Sequence, residues 1–511
     1  MQHPHVLASV GVTVADGTPG EEAPHVLDSS RSGEKVVGGG AARIVAYGGG
    51  ALLSVASTAV VARELGTARF DGFATVLSLS LIALMVTDFG MATLGVREYV
   101  ALADAERDHA MRVLLGLRML LMVLGTVAML VFALLARFRA ELVWGSLLAG
   151  VGLVVQVVPA TYVVPLQATL RLGMVGAVDF VRQAVQAILL VVLALAGFGV
   201  VPLLFTSIPA GLASALLALP VARRLTPLMP SLDWRAMGRL LRLALSFAVA
   251  TSVGATYAYV AQVVTHLSTN ERESGLFALA FRVFSVLIAV AMITVSSAFP
   301  ILTRTAGRDS RRFSYVSSRL YEGVLLLGIV VAVGVGAGAT AIVQILGGAS
   351  FVGAAVMLQV LAVAIVGSFL VAVGSFVLLS LHEHRALLVI NGTALVIAVV
   401  LAWVLASRFG GIGAALALCV TEYGLAGAYW LVVRRGGHEV RLARRCLLSF
   451  AAALIPTLGL ALLLHLLGGG ILLGLIGGVG CPTMFMAVAL VTRGVPAEVV
   501  ATVRGRIRPL H

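Results

Sequence analysis

From residue 44 to residue 492 the chain is a succession of long apolar runs separated by short polar connections. A helix needs about 20 mainly apolar residues to cross a bilayer. By that criterion the pattern predicts spans over 44–63, 73–96, 113–136, 142–165, 177–197, 200–222, 243–265, 275–302, 321–345, 353–381, 386–406, 411–433, 446–466 and 470–492. The runs are continuous, whereas the strands of a β-barrel would alternate, and only a helix satisfies its own backbone within one segment. The expected fold is therefore an all-α integral membrane protein with about 14 transmembrane helices.

Residues 1–42 mix Gly, Ser, Glu, Pro and His without an apolar core and read as a disordered cytoplasmic tail, with no cleavable signal peptide. The polar, proline-containing stretch RRLTPLMPSLDWR falls in 223–242 and reads as a cytoplasmic linker. A repeat supports a division there. Thr67–Ser80 and Ser268–Val286 each pass from a short charged loop through a glycine, Gly72 or Gly275, into an aromatic-containing apolar run. The implied organisation is a six-helix lobe over 43–222, a second over 243–434, and two further transmembrane helices with a short basic cytoplasmic tail over 435–511. Internal repeats of this kind place a substrate path at the interface between lobes, here a central cavity.

Composition agrees: of 511 residues 60% are hydrophobic and 12% charged, with a mean hydropathy of +1.06, against about a quarter charged in soluble chains. With the amino terminus inside, 28 of the 36 Lys and Arg residues fall on the cytoplasmic side and 6 on the other, and only Arg118 and Arg282 lie deeper. That asymmetry places both termini in the cytoplasm. The formal charge of +13 is then a topology signal with attraction to membrane lipids, and nucleic-acid binding is not expected. Cys419, Cys446 and Cys481 have no paired spacing and read as small apolar fillers.

Ionisable residues inside spans carry the functional signal, because a charge near the bilayer centre costs about 2.5–3.5 kcal/mol on insertion scales and seeks a partner or a watery cavity. Arg282 lies seven residues past Gly275, about 10 Å along a helix. It reads either as an arginine reaching back to the interface or as a cavity cation for an anion such as phosphate. Arg118 and Asp88 read as an ion pair or as a cavity arginine tuned by an acid. Glu422, near the midplane of its span, is a candidate proton or cation site, with Asp88 as a second. Asp179 and Arg182, at i and i+3, are expected to pair with each other. Among residues able to hydrogen-bond sugar hydroxyls are Tyr257, Tyr259, Gln262 and Gln156. His382-Glu383-His384 offers only two histidines on a short turn, so no metal is expected. Neither a phosphate loop nor a catalytic motif is found, no cofactor is implied, and the outer loops are too short for a catalytic domain. The chain reads as a transporter and not an enzyme.

Val61-Ala62-Arg63-Glu64-Leu65-Gly66, Phe70-Asp71-Gly72-Phe73, Asp88-Phe89-Gly90-Met91 and Gly95-Val96-Arg97-Glu98, followed by Gly275-Leu276-Phe277-Ala278-Leu279-Ala280-Phe281-Arg282 and Phe299-Pro300, are individually degenerate motifs in a specific order. Together they resemble the polysaccharide-type flippases of the multidrug/oligosaccharidyl-lipid/polysaccharide exporter superfamily, over about 43–495. The chain departs from many relatives in carrying Tyr259-Val260-Ala261 where they have Arg-x-Asp. The resemblance implies translocation of a polyprenyl-diphosphate-linked oligosaccharide from the inner to the outer leaflet of a bacterial plasma membrane by alternating access. It implies diphosphate binding by Arg282 and Arg118, a monomer, and glycan polymerase machinery as a partner. The alternatives are a cation-coupled multidrug exporter of the same fold and, from another class, a membrane-embedded glycan polymerase or ligase.

Overall fold

The structure is a computed structural model that describes residues 31–88, 90–223, 229–306, 309–437, 440, 442–468, 470–492 and 494–495. Among them every regular element is helical. A first bundle contains α1 (Arg31–Asp88), α2 (Met91–Ala101), α3 (Asp104–Leu135), α4 (Ala140–Ala168), α5 (Leu172–Leu195), α6 (Val200–Phe205) and α7 (Ser207–Ala222). The second contains α8 (Trp234–Ser268), α9 (Glu271–Thr305), α10 (Ser310–Gly347), α11 (Ala354–Ser380) and α12 (His384–Arg435), and α13 (Arg444–Leu466) and α14 (Ile471–Val491) follow. Within the first bundle α1 packs on α5 and α4 on α3 and α7; within the second α11 packs on α9, α10 and α12. The bundles meet where α1 lies against α8 and α9, and α14 attaches to the second bundle through α10.

Eleven helices among the described residues are long and apolar enough to cross a membrane, and two of these, of 54 and 52 residues, are far too long for one crossing. Both break at a glycine, Gly66 with φ 68° and Gly410 with φ 60°, a left-handed conformation that glycine adopts without a Cβ penalty. There the chain doubles back. In a straight helix Asn391 and Tyr429 would stand about 57 Å apart; instead the Tyr429 hydroxyl donates to Asn391 Oδ1 at 2.5 Å. Ser54 and Ser78, equally distant from Gly66 on either side, line one cavity. Counting each limb, and α8 with its 35 residues, brings the passages to about the fourteen expected.

Several local expectations change. Residues 31–42, read as tail, are already helical; residues 1–30 and the basic tail 496–511 lie outside the described residues, as does Phe89. The loop expected between the first two spans is reduced to the single hinge at Gly66. The second span breaks at Gly90, where φ is 65°, and continues as α2. The sixth divides at Thr206, because Pro209 has no N–H to give the Phe205 carbonyl.

The described part of the 223–242 linker is packed rather than loose. Ser231 N–H donates to the Arg112 carbonyl at 2.9 Å. Asp233 caps α8, its carboxylate accepting from the N–H groups of Arg235 at 3.0 Å and Ala236 at 3.1 Å. The first turns of α8 place Ala236, Met237 and Ala244 against Met91, Tyr99 and Leu114 of the first bundle. Its last turns place Tyr257, Ala258 and Ala261 in the large core shared with the second. At the Gly66 end the bundles are in close contact: Phe70 stands edge-on to Phe351 at 5.6 Å, Arg139 pairs with Glu271, and Arg63 donates to the Ile345 carbonyl. Toward the opposite end, α9 leaves Met292, Ile293 and Ile301 exposed together with Thr294, Ser296 and Ser297.

Candidate functional site

α9 begins with Asn270, whose Oδ1 accepts the Glu273 N–H at 2.9 Å, and with Glu271 and Glu273 in the first turn, where their charge opposes the positive helix end. Two turns beyond Gly275 comes Arg282. Its Nη2 donates to Ser54 Oγ at 2.5 Å across the seam between the bundles, and its buried Nε has no partner. The guanidinium lines a cavity of about 250 Å³ formed by α1, α5, α8 and α9. It also borders a mostly apolar cleft with Val55, Val283 and Leu346.

Arg182 of α5 lines the same seam cavity, as do Tyr259 and Gln262 of α8, and no Asp or Glu is among the described residues around it. Tyr259 is held by an edge-to-face contact with Phe281, 5.7 Å between centroids at 87°. Arg282, beside which no acid lines the cavity among the described residues, reinforced by Arg182, makes this an anion-attracting space. In a low-dielectric surrounding their field is screened far less than in water.

A second cavity, of about 350 Å³, lies inside the first bundle and shares Phe73, Leu77, Leu81, Arg182 and Gln186 with the first, so the two adjoin. Gln156, Asp179 and Arg118 line it. Arg118 is buried and donates to Asp88 Oδ1 at 2.6 Å and to Thr161 Oγ1 at 3.1 Å. Of the alternatives open in the sequence, the ion pair forms, and it does so on the cavity wall. Arg182 keeps Asp179 as an electrostatic neighbour, as the sequence suggests, and stands between both cavities.

Tyr257 and Glu422 lie elsewhere. The Tyr257 hydroxyl donates to Glu422 Oε1 at 2.7 Å inside the second bundle. That contact turns Tyr257 away from the seam cavity, and Glu422 is fully buried with Oε2 unpartnered. The structure therefore brings Arg282, Tyr259 and Gln262 together, joins Arg118, Asp88 and Gln156 around the neighbouring cavity, and sets Tyr257 with Glu422 apart from both.

One functional residue was noted only as part of a motif. Asp71, fully buried, accepts from Ser274 Oγ at 2.5 Å and stands 2.6 Å from His266 Nδ1. Gln262 Nε2 reaches the same carboxylate at 3.4 Å, and so does Thr75 at 3.3 Å. This cluster ties the two bundles together at the Gly66 end. The available signal was an acid one residue before the repeat glycine, just inside an apolar run.

Residues 36–306 match the family described as polysaccharide biosynthesis protein. The chain belongs to that family. Among solved structures, this family member is similar to a lipid II flippase MurJ in an inward closed conformation, with a TM-score of 0.72 at 13% identity, covering 90% of this chain and 99% of the other. An inward-facing multidrug resistance transporter of the MATE family and MOP superfamily matches with a TM-score of 0.60 at 14% identity, over 75% and 94% of the two chains. A MOP superfamily transporter from Pyrococcus furiosus, described as having a binding pocket of reverse polarity, matches with a TM-score of 0.54 at 15% identity, over 79% and 95% of the two chains. At these identities the likeness is one of fold. No curated protein is detectably similar in sequence. The polysaccharide biosynthesis protein is thus a multi-pass membrane protein with a transporter fold.

Proposed function

We propose that the protein is a flippase that carries a polyprenyl-diphosphate-linked oligosaccharide from the inner to the outer leaflet of a bacterial plasma membrane, with both termini cytoplasmic and no covalent chemistry. The observation that carries this reading is Arg282, a guanidinium with an unpartnered Nε in a seam cavity that contains a second arginine and no acid. Moving a diphosphate past hydrocarbon requires its charge to be neutralised on the way, and a planar guanidinium grips phosphate oxygens with paired hydrogen bonds. Gln262, whose Oε1 has no partner, offers an acceptor beside it, and Tyr259 lines the same cavity. Arg118 is occupied by Asp88 and serves the phosphate less directly than Arg182.

In this reading the Gly66 end faces outward and is shut, and the polar head enters from the opposite side. Alternating access then requires the Asp71 cluster to part. Glu422, buried with one free oxygen, is the carboxylate assigned to a coupling proton or cation. A monomer working beside glycan polymerase machinery fits the same scheme. A multidrug exporter for organic cations would want an acid in the seam cavity, and among the described residues none lines it.

The test is Arg282→Ala in cells lacking the native gene, with membrane insertion checked. Lipid-linked oligosaccharide should accumulate on the cytoplasmic face and glycan export should fall at least tenfold, the scale of a lost charge-assisted contact of about 1.5–3 kcal/mol. Export at the native rate would end the reading.

A further inference from the structure

The cavity enclosed by the first bundle is not needed for holding a diphosphate in the seam, and its chemistry differs. Arg118 is balanced by Asp88 at 2.6 Å, and Arg182 shares the wall with Asp179 one turn earlier. Each arginine here has an acid near it, whereas Arg282 in the seam cavity has none among the described residues that line it. What remains is neutral hydrogen-bonding capacity. Among the described residues, the side-chain amides of Gln156 and Gln186 make no hydrogen bond. Ser207 donates to the Leu204 carbonyl at 3.0 Å, which leaves its lone pairs free to accept.

An amide presents donor and acceptor side by side, as does a sugar hydroxyl. A volume of about 350 Å³ falls within the roughly 300–1,000 Å³ of small-ligand sites. The lining is largely apolar, with Gln156 and Gln186 among its few polar groups, the pattern of a small-ligand site in which a few placed polar groups fix orientation. Its position adds the decisive constraint: Arg182 and Gln186 line both cavities, so a diphosphate held by Arg282 and Arg182 carries its first sugar to the opening of the first-bundle cavity.

We infer that the first-bundle cavity is a saccharide subsite for the neutral sugar joined directly to the diphosphate, with Gln156 and Gln186 as its hydrogen-bonding pair and Arg182 at the boundary with the phosphate site. This rests on the flippase reading and adds to it a division of the headgroup between two chambers.

The experiment uses the full chain in lipid nanodiscs and three kinds of probe: geranyl diphosphate, geranyl diphosphate bearing a single neutral hexose, and the same bearing an N-acetylhexosamine. At least one sugar-bearing probe should bind about tenfold more tightly than the sugar-free parent, as expected for one or two net hydrogen bonds. The substitution Gln156→Leu, which touches the first-bundle cavity and not the seam cavity, should erase most of that gain while leaving the affinity for geranyl diphosphate within about twofold, which also shows that the variant is folded. Each single Gln→Met variant is measured as well, and should lose part of the gain. Absence of any gain across the probes, or a gain that survives in Gln156→Leu, overturns the subsite and leaves the phosphate site standing. Failure of geranyl diphosphate to bind, or binding indifferent to Arg282→Ala, overturns the flippase reading itself and takes the subsite with it.

Discussion

Asp71 and Ser274 hydrogen-bond at 2.5 Å although 203 residues separate them, and each immediately precedes the glycine of its repeat, Gly72 or Gly275. Corresponding positions of the two halves therefore touch one another. Asp71 and Ser274 are both fully buried, so this contact is made away from water, where losing a partner is expensive.

Removing the carboxylate should loosen the Gly66 end. Breaking a buried charged cluster by deleting one member costs about 3–5 kcal/mol, and here the penalty falls on the closed arrangement, which alone places His266, Gln262 and Ser274 around Asp71. In reconstituted vesicles, a cysteine at Ser57 on the seam cavity should react with an impermeant maleimide from the Gly66 side at least several-fold faster in Asp71→Ala than in the parent. Equal rates would show that the cluster does not hold this end shut.

The paired repeat glycines should differ in their tolerance of alanine. A Cβ on Gly275 would lie 2.0 Å from the Thr67 carbonyl oxygen, a backbone atom across the seam, whereas one on Gly72 would meet a Leu142 methyl at 2.7 Å. A leucine can change rotamer and backbone cannot, so Gly72→Ala should cost about 1 kcal/mol and Gly275→Ala about 3 kcal/mol or more, on the scale of overpacking. Thermal unfolding in detergent orders the two variants. Similar melting temperatures would contradict the close approach at Thr67.

Acid sensitivity should include a contribution from Asp233, which lies outside the spans. The Ala236 N–H holds its carboxyl below the usual carboxylate range; desolvation opposes it, and the Arg235 N–H and His109 add to the lowering. A depressed folded-state value means that this stabilisation is present above the unfolded value of about 3.9 and is lost as pH falls through the folded one. The melting temperature of Asp233→Asn should therefore lie below that of the parent at pH 7, and the gap should close toward pH 3. A gap independent of pH would remove the charge from the explanation.

Much of this was legible in the chain. Apolar run length located the spans, and a cation in the middle of one singled out Arg282. The misplaced residues share one cause, which is that a run of apolar residues on all sides carries little information about which face points where. Tyr257 and Tyr259 are two positions apart, about 200° around a helix, so they were equally good candidates on paper. The fold sends one to Glu422 and the other into the seam cavity. The i, i+3 spacing of Asp179 and Arg182 was visible in the sequence, but that the same guanidinium lines two cavities was not. The hinges at Gly66 and Gly410 were hidden because a lone glycine among apolar residues is common in membrane helices.

α8 is anchored at both extremities, its opening turns to one bundle through Ala236 and Met237 and its closing turns to the core of the other through Tyr257 and Ala258. Any rocking that separates the bundles must then be absorbed as elastic deformation of this single rod, between residues 244 and 257. If the protein works by rocking of its halves, the stiffness of that short length would set how far they swing and supply a restoring force. A cycling rate that responds to substitutions there, far from any cargo, is the mechanical signature of such a spring.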